Sequence, residues 1–109
     1  LIFKLMIRQP DFVDNDFALQ ILEQTQKKKP HDLLGKVKFE EIKEGDCIQM
    51  LHLGSYDNEP ESFRIMEEFA DTNNYKRKTM THREIYLSDA RKVSPDKLKT
   101  VLRFNIEKN

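Results

Sequence analysis

The chain has 109 residues, and its 19 Lys and Arg are balanced by 19 Asp and Glu. That length makes one domain or part of one, and the even charge removes the strongest ground for nucleic-acid binding or a polybasic membrane anchor. A single cysteine, Cys47, excludes an internal disulfide and a CxxC metal knuckle, and no apolar run approaches the ~20 residues of a transmembrane helix.

Leu1–Arg8 is apolar and stops before Pro10, which reads as a strand. No small-residue cleavage site follows it, so it is not a signal peptide. A strand that begins so abruptly suggests chain upstream. Asp14-Asn15-Asp16 offers a helix start, with acids at the positive end of the macrodipole. Ala18, Ile21, Leu22 and Thr25 then share one helical face, Lys27-Lys28-Lys29 suits the negative end, and Pro30 stops the helix. Val37–Ile42 reads as a strand, Gly45-Asp46 as a turn and Cys47–Leu53 as a second strand. The loop from Gly54 runs into a helix with Pro60 as its first residue. Phe63, Met66, Phe69 and Ala70 give that helix an apolar stripe for core packing, and Asn73-Asn74 ends it. Thr79–Leu87 reads as a strand, Ser88–Pro95 as a polar connection, Pro95–Leu98 as a short turn and Thr100–Ile106 as the last strand. The order β-α-β-β-α-β-β predicts an α+β domain, with helices on one face of a largely antiparallel sheet.

Alternation along the strands assigns side chains to faces. Ile85 and Leu87 are expected to meet the helices with Leu102, Phe104 and Ile106. His82, Glu84 and Tyr86 then share the opposite face with Val101 and Arg103. Lys4–Arg8 echoes Lys99–Arg103 in charge placement and apolar pattern, as a repeated module would. The chain has no GxGxxG, Walker A, HExxH or GxSxG pattern. Cys47 reads as a small buried hydrophobe. His31, His52 and His82 are too widely spaced to share a helix face as metal ligands, and neither metal nor cofactor is expected. Glu84 is the candidate functional residue, mid-strand between His82 and Tyr86. It is either an acid on a solvated sheet face, paired with Arg103, or the floor of an aromatic cleft. In the second case partial burial would raise its pKa. It would then neutralise a cationic ligand beside tyrosine rings or serve as a general acid or base.

Three stretches carry a family resemblance. His52-Leu53-Gly54-Ser55-Tyr56 precedes an acidic helix start, His82-Arg83-Glu84-Ile85-Tyr86-Leu87-Ser88-Asp89 follows, and Pro95-Asp96-Lys97-Leu98-Lys99-Thr100-Val101-Leu102-Arg103 closes the series. In order and spacing the series resembles the GyrI-like small-molecule-binding family. The chain departs from the family pattern at Ala90-Arg91, where a proline often follows the Asp, and at Ser55, where a proline often precedes the Tyr. The resemblance implies tandem β-α-β-β modules related by pseudo-two-fold symmetry, with a ligand cleft between them. Residues 1–35 would be the last strand of a preceding module plus a linker helix, residues 36–109 the second module, with about a hundred residues upstream. Two copies of such a chain would be expected to dimerise through the exposed sheet.

By the same resemblance, Glu84 matches the family's cleft glutamate, which faces aromatic cationic compounds in multidrug-sensing regulators. Tyr56 is the matching cleft tyrosine by motif and Tyr86 the candidate by sheet face. His52 and Arg103 complete the expected ligand-binding set, with His52 in a structural hydrogen bond. The implied function is recognition of aromatic or cationic xenobiotics by a bacterial cytoplasmic protein without nucleic-acid or membrane contacts. One alternative is a hydrolase of cyclopropane-bearing DNA-alkylating compounds, with Glu84 and Tyr56 handling water and proton transfer. A second alternative is modulation of gyrase, for which the family is named.

Overall fold

The computed structural model describes residues 2–109. It divides into two compact units, Leu1–Ile42 and Lys43–Asn109.

The first unit contains the helix α1, Asn15–Lys28, and a 3-10 turn over Asp32–Lys36. Asp14 caps α1, its carboxylate accepting the Phe17 N–H at 2.8 Å, and so satisfies one of the unpaired donors of the first turn. Lys27 and Lys28 occupy the last turn as expected. Ala18, Leu22 and Thr25 are its half-buried positions, while Ile21 is exposed. The expected strands over Leu1–Arg8 and Val37–Ile42 do not form: residues 2–8 and 37–42 have no regular structure, and Leu1 lies outside the described residues. Apolar sequence supplies a strand's faces but not its ladder partner, and neither segment has one among the described residues.

The second unit is a four-stranded antiparallel sheet with one long helix. Its strands are β1 (Cys47–Leu53), β2 (Tyr75–Arg77), β3 (Arg83–Tyr86) and β4 (Lys99–Lys108). The helix α2 spans Glu59–Thr72 between β1 and β2. β4 is the spine: β1 pairs along one edge, and β2 and β3 both pair along the other. This is an α+β arrangement, as the sequence predicted.

Local chemistry sets these elements. Pro60 stands in the first turn of α2, where its missing N–H costs no hydrogen bond. Asn73 closes the helix, its amide donating to the Phe69 carbonyl at 2.8 Å, and Asn74 takes a left-handed conformation at φ 61°. Gly54 leaves β1 at φ 108°, a backbone region that side-chain-bearing residues rarely adopt. Its N–H donates to the Leu98 carbonyl at 2.8 Å, which ties the entrance of α2 to the start of β4.

The expected strand over Thr79–Leu87 is two strands. Between Arg77, opposite Ile106, and Arg83, opposite Arg103, residues 78–82 stand against only Phe104 and Asn105. The surplus breaks the ladder into β2 and β3, as an extended bulge does.

The core lies between α2 and one sheet face. Met66 and Ala70 of α2 meet Ile48, Leu102 and Phe104, all buried. Residues directly opposite in antiparallel strands share a face. The core-side rows are therefore Ile48 and Phe104; Met50, Leu102 and Glu84; and His52, Thr100 and Tyr86. The open-side rows are Gln49, Arg103 and Arg83, and Leu51, Val101 and Ile85. Leu102 and Phe104 are in the core as expected, but the predicted face of β3 is reversed. Glu84 and Tyr86 stand with α2, and Ile85 faces out with Val101 and Arg103. Of the predicted stripe on α2, Met66 and Ala70 are buried, Phe63 is half-buried and Phe69 is exposed. Ser62 is buried in its place.

Candidate ligand-binding site

Glu84 sits on the core-side face beside the first residue of α2, Glu59. The register of β3 puts it one row from Tyr86. The turn between Gly54 and α2 carries Tyr56 to the same place, where its ring meets that of Tyr86 edge-on at 5.8 Å between centroids. The structure thus brings together three of the predicted residues, Glu84, Tyr56 and Tyr86. Both tyrosines are partly exposed, which leaves ring surface free for a ligand.

Glu84 is held from one side by His82, whose Nε2 lies 3.2 Å from Oε2 of the carboxylate. The His82 ring is packed in turn against Phe63 of α2 at 4.6 Å between centroids. Behind Phe63 stands Arg77, with its guanidinium 4.4 Å from the centre of the Phe104 ring and 2.8 Å from Glu67 Oε1. The helix, β2 and the core thereby fix the imidazole that orients Glu84.

Glu59 was not singled out in the sequence, and it is the most perturbed acid of the site. Burial foremost, then a hydrogen bond with Glu84, then the Glu84 charge push its pKa from the usual 4.5 up to about 7. Its Oε2 is buried and accepts from no donor among the described residues. Burial also raises the pKa of Tyr86, assisted by the charges of Glu84 and Glu59 and by Tyr56. The sequence did hold a signal for Glu59. It precedes Pro60, and that proline marks a helix N-terminus that points one residue back at whatever the strands present.

The other two predicted residues are placed differently. His52 is 3% exposed, with Nδ1 at 2.7 Å from Ser62 Oγ and Nε2 at 2.8 Å from the Ser55 carbonyl. Both ring nitrogens are used internally, which is the structural hydrogen bonding expected of it: His52 pins the Ser55–Tyr56 turn to α2. Arg103 is not with Glu84. It lies on the open face, where Nη1 meets Glu44 at 2.6 Å and Nε meets Gln49 at 3.0 Å. Glu44 also binds Arg83 at 2.5 Å. An apolar Ile85 on the core side would put Arg103 with Glu84, but the register of β3 on β4 turns Ile85 outward and sets Arg103 on the open face.

A separate apolar groove of about 330 Å³ runs beside β1 and α2, lined by Ile48, Met50, Ile65, Met66 and Phe69. It holds none of the predicted site residues. Among the described residues no three His, Cys, Asp or Glu side chains are grouped as a metal ion would need, and no helix is long and apolar enough to cross a membrane.

Comparison with known proteins bears on the whole chain. No curated protein matches it. A structure of an uncharacterized conserved protein from Listeria innocua superposes with a TM-score of 0.85 at 39% identity, over 92% of this chain and 50% of that one. A hydrolase from Listeria innocua gives a TM-score of 0.83 at 37% identity, over 92% of this chain and 52% of its own. A further hydrolase structure from that organism gives 0.81 at 37% identity, over 92% and 50%. The chain spans about half the length of each. The model of the GyrI-like small-molecule-binding domain matches residues 9–107. With that match over nearly its full length, the chain belongs to the GyrI-like small-molecule-binding domain family.

Proposed function

We propose that the chain binds an aromatic or cationic small molecule on the α2 side of its sheet, with Glu84 as the central acid and Tyr56 and Tyr86 as the ring contacts. The observation that carries this reading is the position of Glu84: on the helix-side face, one row from Tyr86 and next to the Tyr56–Tyr86 ring pair. An acid shielded by helix and rings acts through a lower effective dielectric than an acid in open water, so it attracts a cation more strongly. Aromatic faces add cation–π attraction, and flat apolar ligand surface gains from leaving water.

A matched pair of probes tests this. Tetraphenylphosphonium and tetraphenylborate have nearly the same shape and opposite charge. At pH 8 the phosphonium is expected to bind at least about tenfold more tightly, a difference of ~1.4 kcal/mol, when both are titrated against tyrosine fluorescence. Equal affinities, or a preference for the borate, would remove the acid from the account.

A second reading is hydrolysis of cyclopropane-bearing electrophiles in the same place. It is supported by the raised pKa of Glu59 beside Glu84 and by the hydrolases among the similar structures. With its pKa raised to about 7, Glu59 can serve as an acid near neutral pH beside Glu84. In such a step Glu84 would draw a proton from water as its oxygen bonds to a ring carbon. One C–C bond of the three-membered ring breaks, and its electron pair stays with the compound, which takes a proton from the tyrosine or Glu59.

A further inference from the structure

Residues 78–82 separate β2 from β3, and the point where β3 rejoins β4 decides which face Glu84 takes. A slip of one residue would turn Glu84 and Tyr86 to the open side and bring Ile85 to the helix. One side chain grips this segment. Arg77, the last residue of β2, donates from Nη2 to the Met80 carbonyl at 3.1 Å and to the Thr81 carbonyl at 3.4 Å. Its Nη1 donates to Glu67 Oε1 of α2 at 2.8 Å. The guanidinium lies 4.4 Å from the centre of the Phe104 ring and 5.7 Å from that of Phe63, and the Phe63 ring is the one that holds His82, the partner of Glu84. The Arg77 side chain is only 13% exposed, and its Nε is buried with no acceptor among the described residues. Burying a cation in this way costs stability. A methionine would pack on both rings without that cost, but it could not hold the two carbonyls.

We propose that Arg77 is the positioning residue of the ligand site: its fork fixes the path of residues 78–82 and so holds β3 in the register that keeps Glu84 and Tyr86 on the helix side. For the ligand's part this rests on the binding reading above. Arg77 acts through β3 and touches no ligand itself. A planar guanidinium suits the task, because its several donors reach two carbonyls and a carboxylate while its face lies against a ring; the single ammonium of a lysine does not reproduce that geometry. Charge gives the sign of the effect. Losing a positive charge by itself would strengthen the attraction for a cation, whereas losing the position of Glu84 weakens it. The charge preference of the site therefore separates positioning from a simple field effect.

The experiment has two arms on the full chain, with Arg77→Met as the variant. Arg77→Lys, which keeps the charge but not the fork, takes its place if Arg77→Met does not fold. In the first arm, without ligand, NOEs are recorded between the rings of Tyr56 and Tyr86 and between those of His82 and Phe63. Both are expected in the wild type and lost in the variant, with the cross-peaks between β1 and β4 kept. Wild type in enough urea to match the stability of the variant is expected to retain them. Ring cross-peaks that persist in the variant, or that vanish from the wild type in that urea, overturn the hold of Arg77 on β3, as does loss of the whole fold in both variants. In the second arm, at pH 8, the preference for tetraphenylphosphonium over tetraphenylborate is expected to fall about tenfold in the variant. A preference that stays or rises overturns the positioning role. Phosphonium that does not bind the wild type overturns the binding reading, and the first arm then decides the register by itself.

Discussion

Phe104→Ala is expected to lose ~3–5 kcal/mol of folding stability, read as a fall in the urea midpoint by circular dichroism. The residue is 1% exposed, at the middle of the strand that every other strand pairs with. Its ring packs with Met66, Ala70 and Leu102 and carries the Arg77 guanidinium on its face. Truncation would open a cavity in the core, and it would strand a guanidinium whose Nε is already buried without an acceptor among the described residues. Leu51→Ala on the open face, where the side chain is 47% exposed, should cost less than ~1.5 kcal/mol. If the two variants cost the same, the assignment of sheet faces fails.

Replacing both acids, Glu59→Gln with Glu84→Gln, is expected to lower tetraphenylphosphonium affinity about a hundredfold at pH 8. The magnitude follows from Coulomb's law: a charge ~6 Å from the cation centre, at an effective dielectric of ~40, contributes ~1.4 kcal/mol, and there are two. Tetraphenylborate should bind no more weakly than before, because it loses only repulsion. If the site also hydrolyses a cyclopropane-bearing compound, the double variant removes the base and one of the two candidate proton donors, and turnover should drop by a factor of ~10²–10⁴. A double variant that binds the phosphonium as tightly as the wild type would show that rings alone make the site. Glutamine keeps the size of each side chain, and a urea midpoint close to that of the wild type distinguishes lost charge from lost fold.

What the sequence made legible follows from which interactions are local. α1 and its Asp14 cap, the bounds of β1, the Asn73 stop and the final strand are all written in neighbouring residues. The faces of β3 are not. Ile85 and Leu87 look like core by composition, yet the ladder puts Ile85 opposite Val101 on the open side. The five residues 78–82 that break the strand also set where β3 rejoins β4, and no local pattern encodes that offset. The failed strands over residues 2–8 and 37–42 have the same origin, since strand identity depends on a partner elsewhere. The site shows the same division. Glu84 stood out by its place in the strand, Tyr86 by its sheet face and Tyr56 by motif resemblance, and the structure brings them together. Glu59 has no local signal for its neighbour, which lies on a strand 25 residues away in sequence, while the reversed face of β3 put Arg103 on the side of Glu84, where the structure does not have it.

Intermolecular NOEs from the phenyl protons of bound tetraphenylphosphonium discriminate the two sheet faces most directly. Cross-peaks to the rings of Tyr56 and Tyr86 are predicted, together with shifts of the Glu59 and Glu84 side chains. Cross-peaks to the methyl groups of Leu51, Ile85 and Val101 instead would put the ligand on the open face and contradict the account.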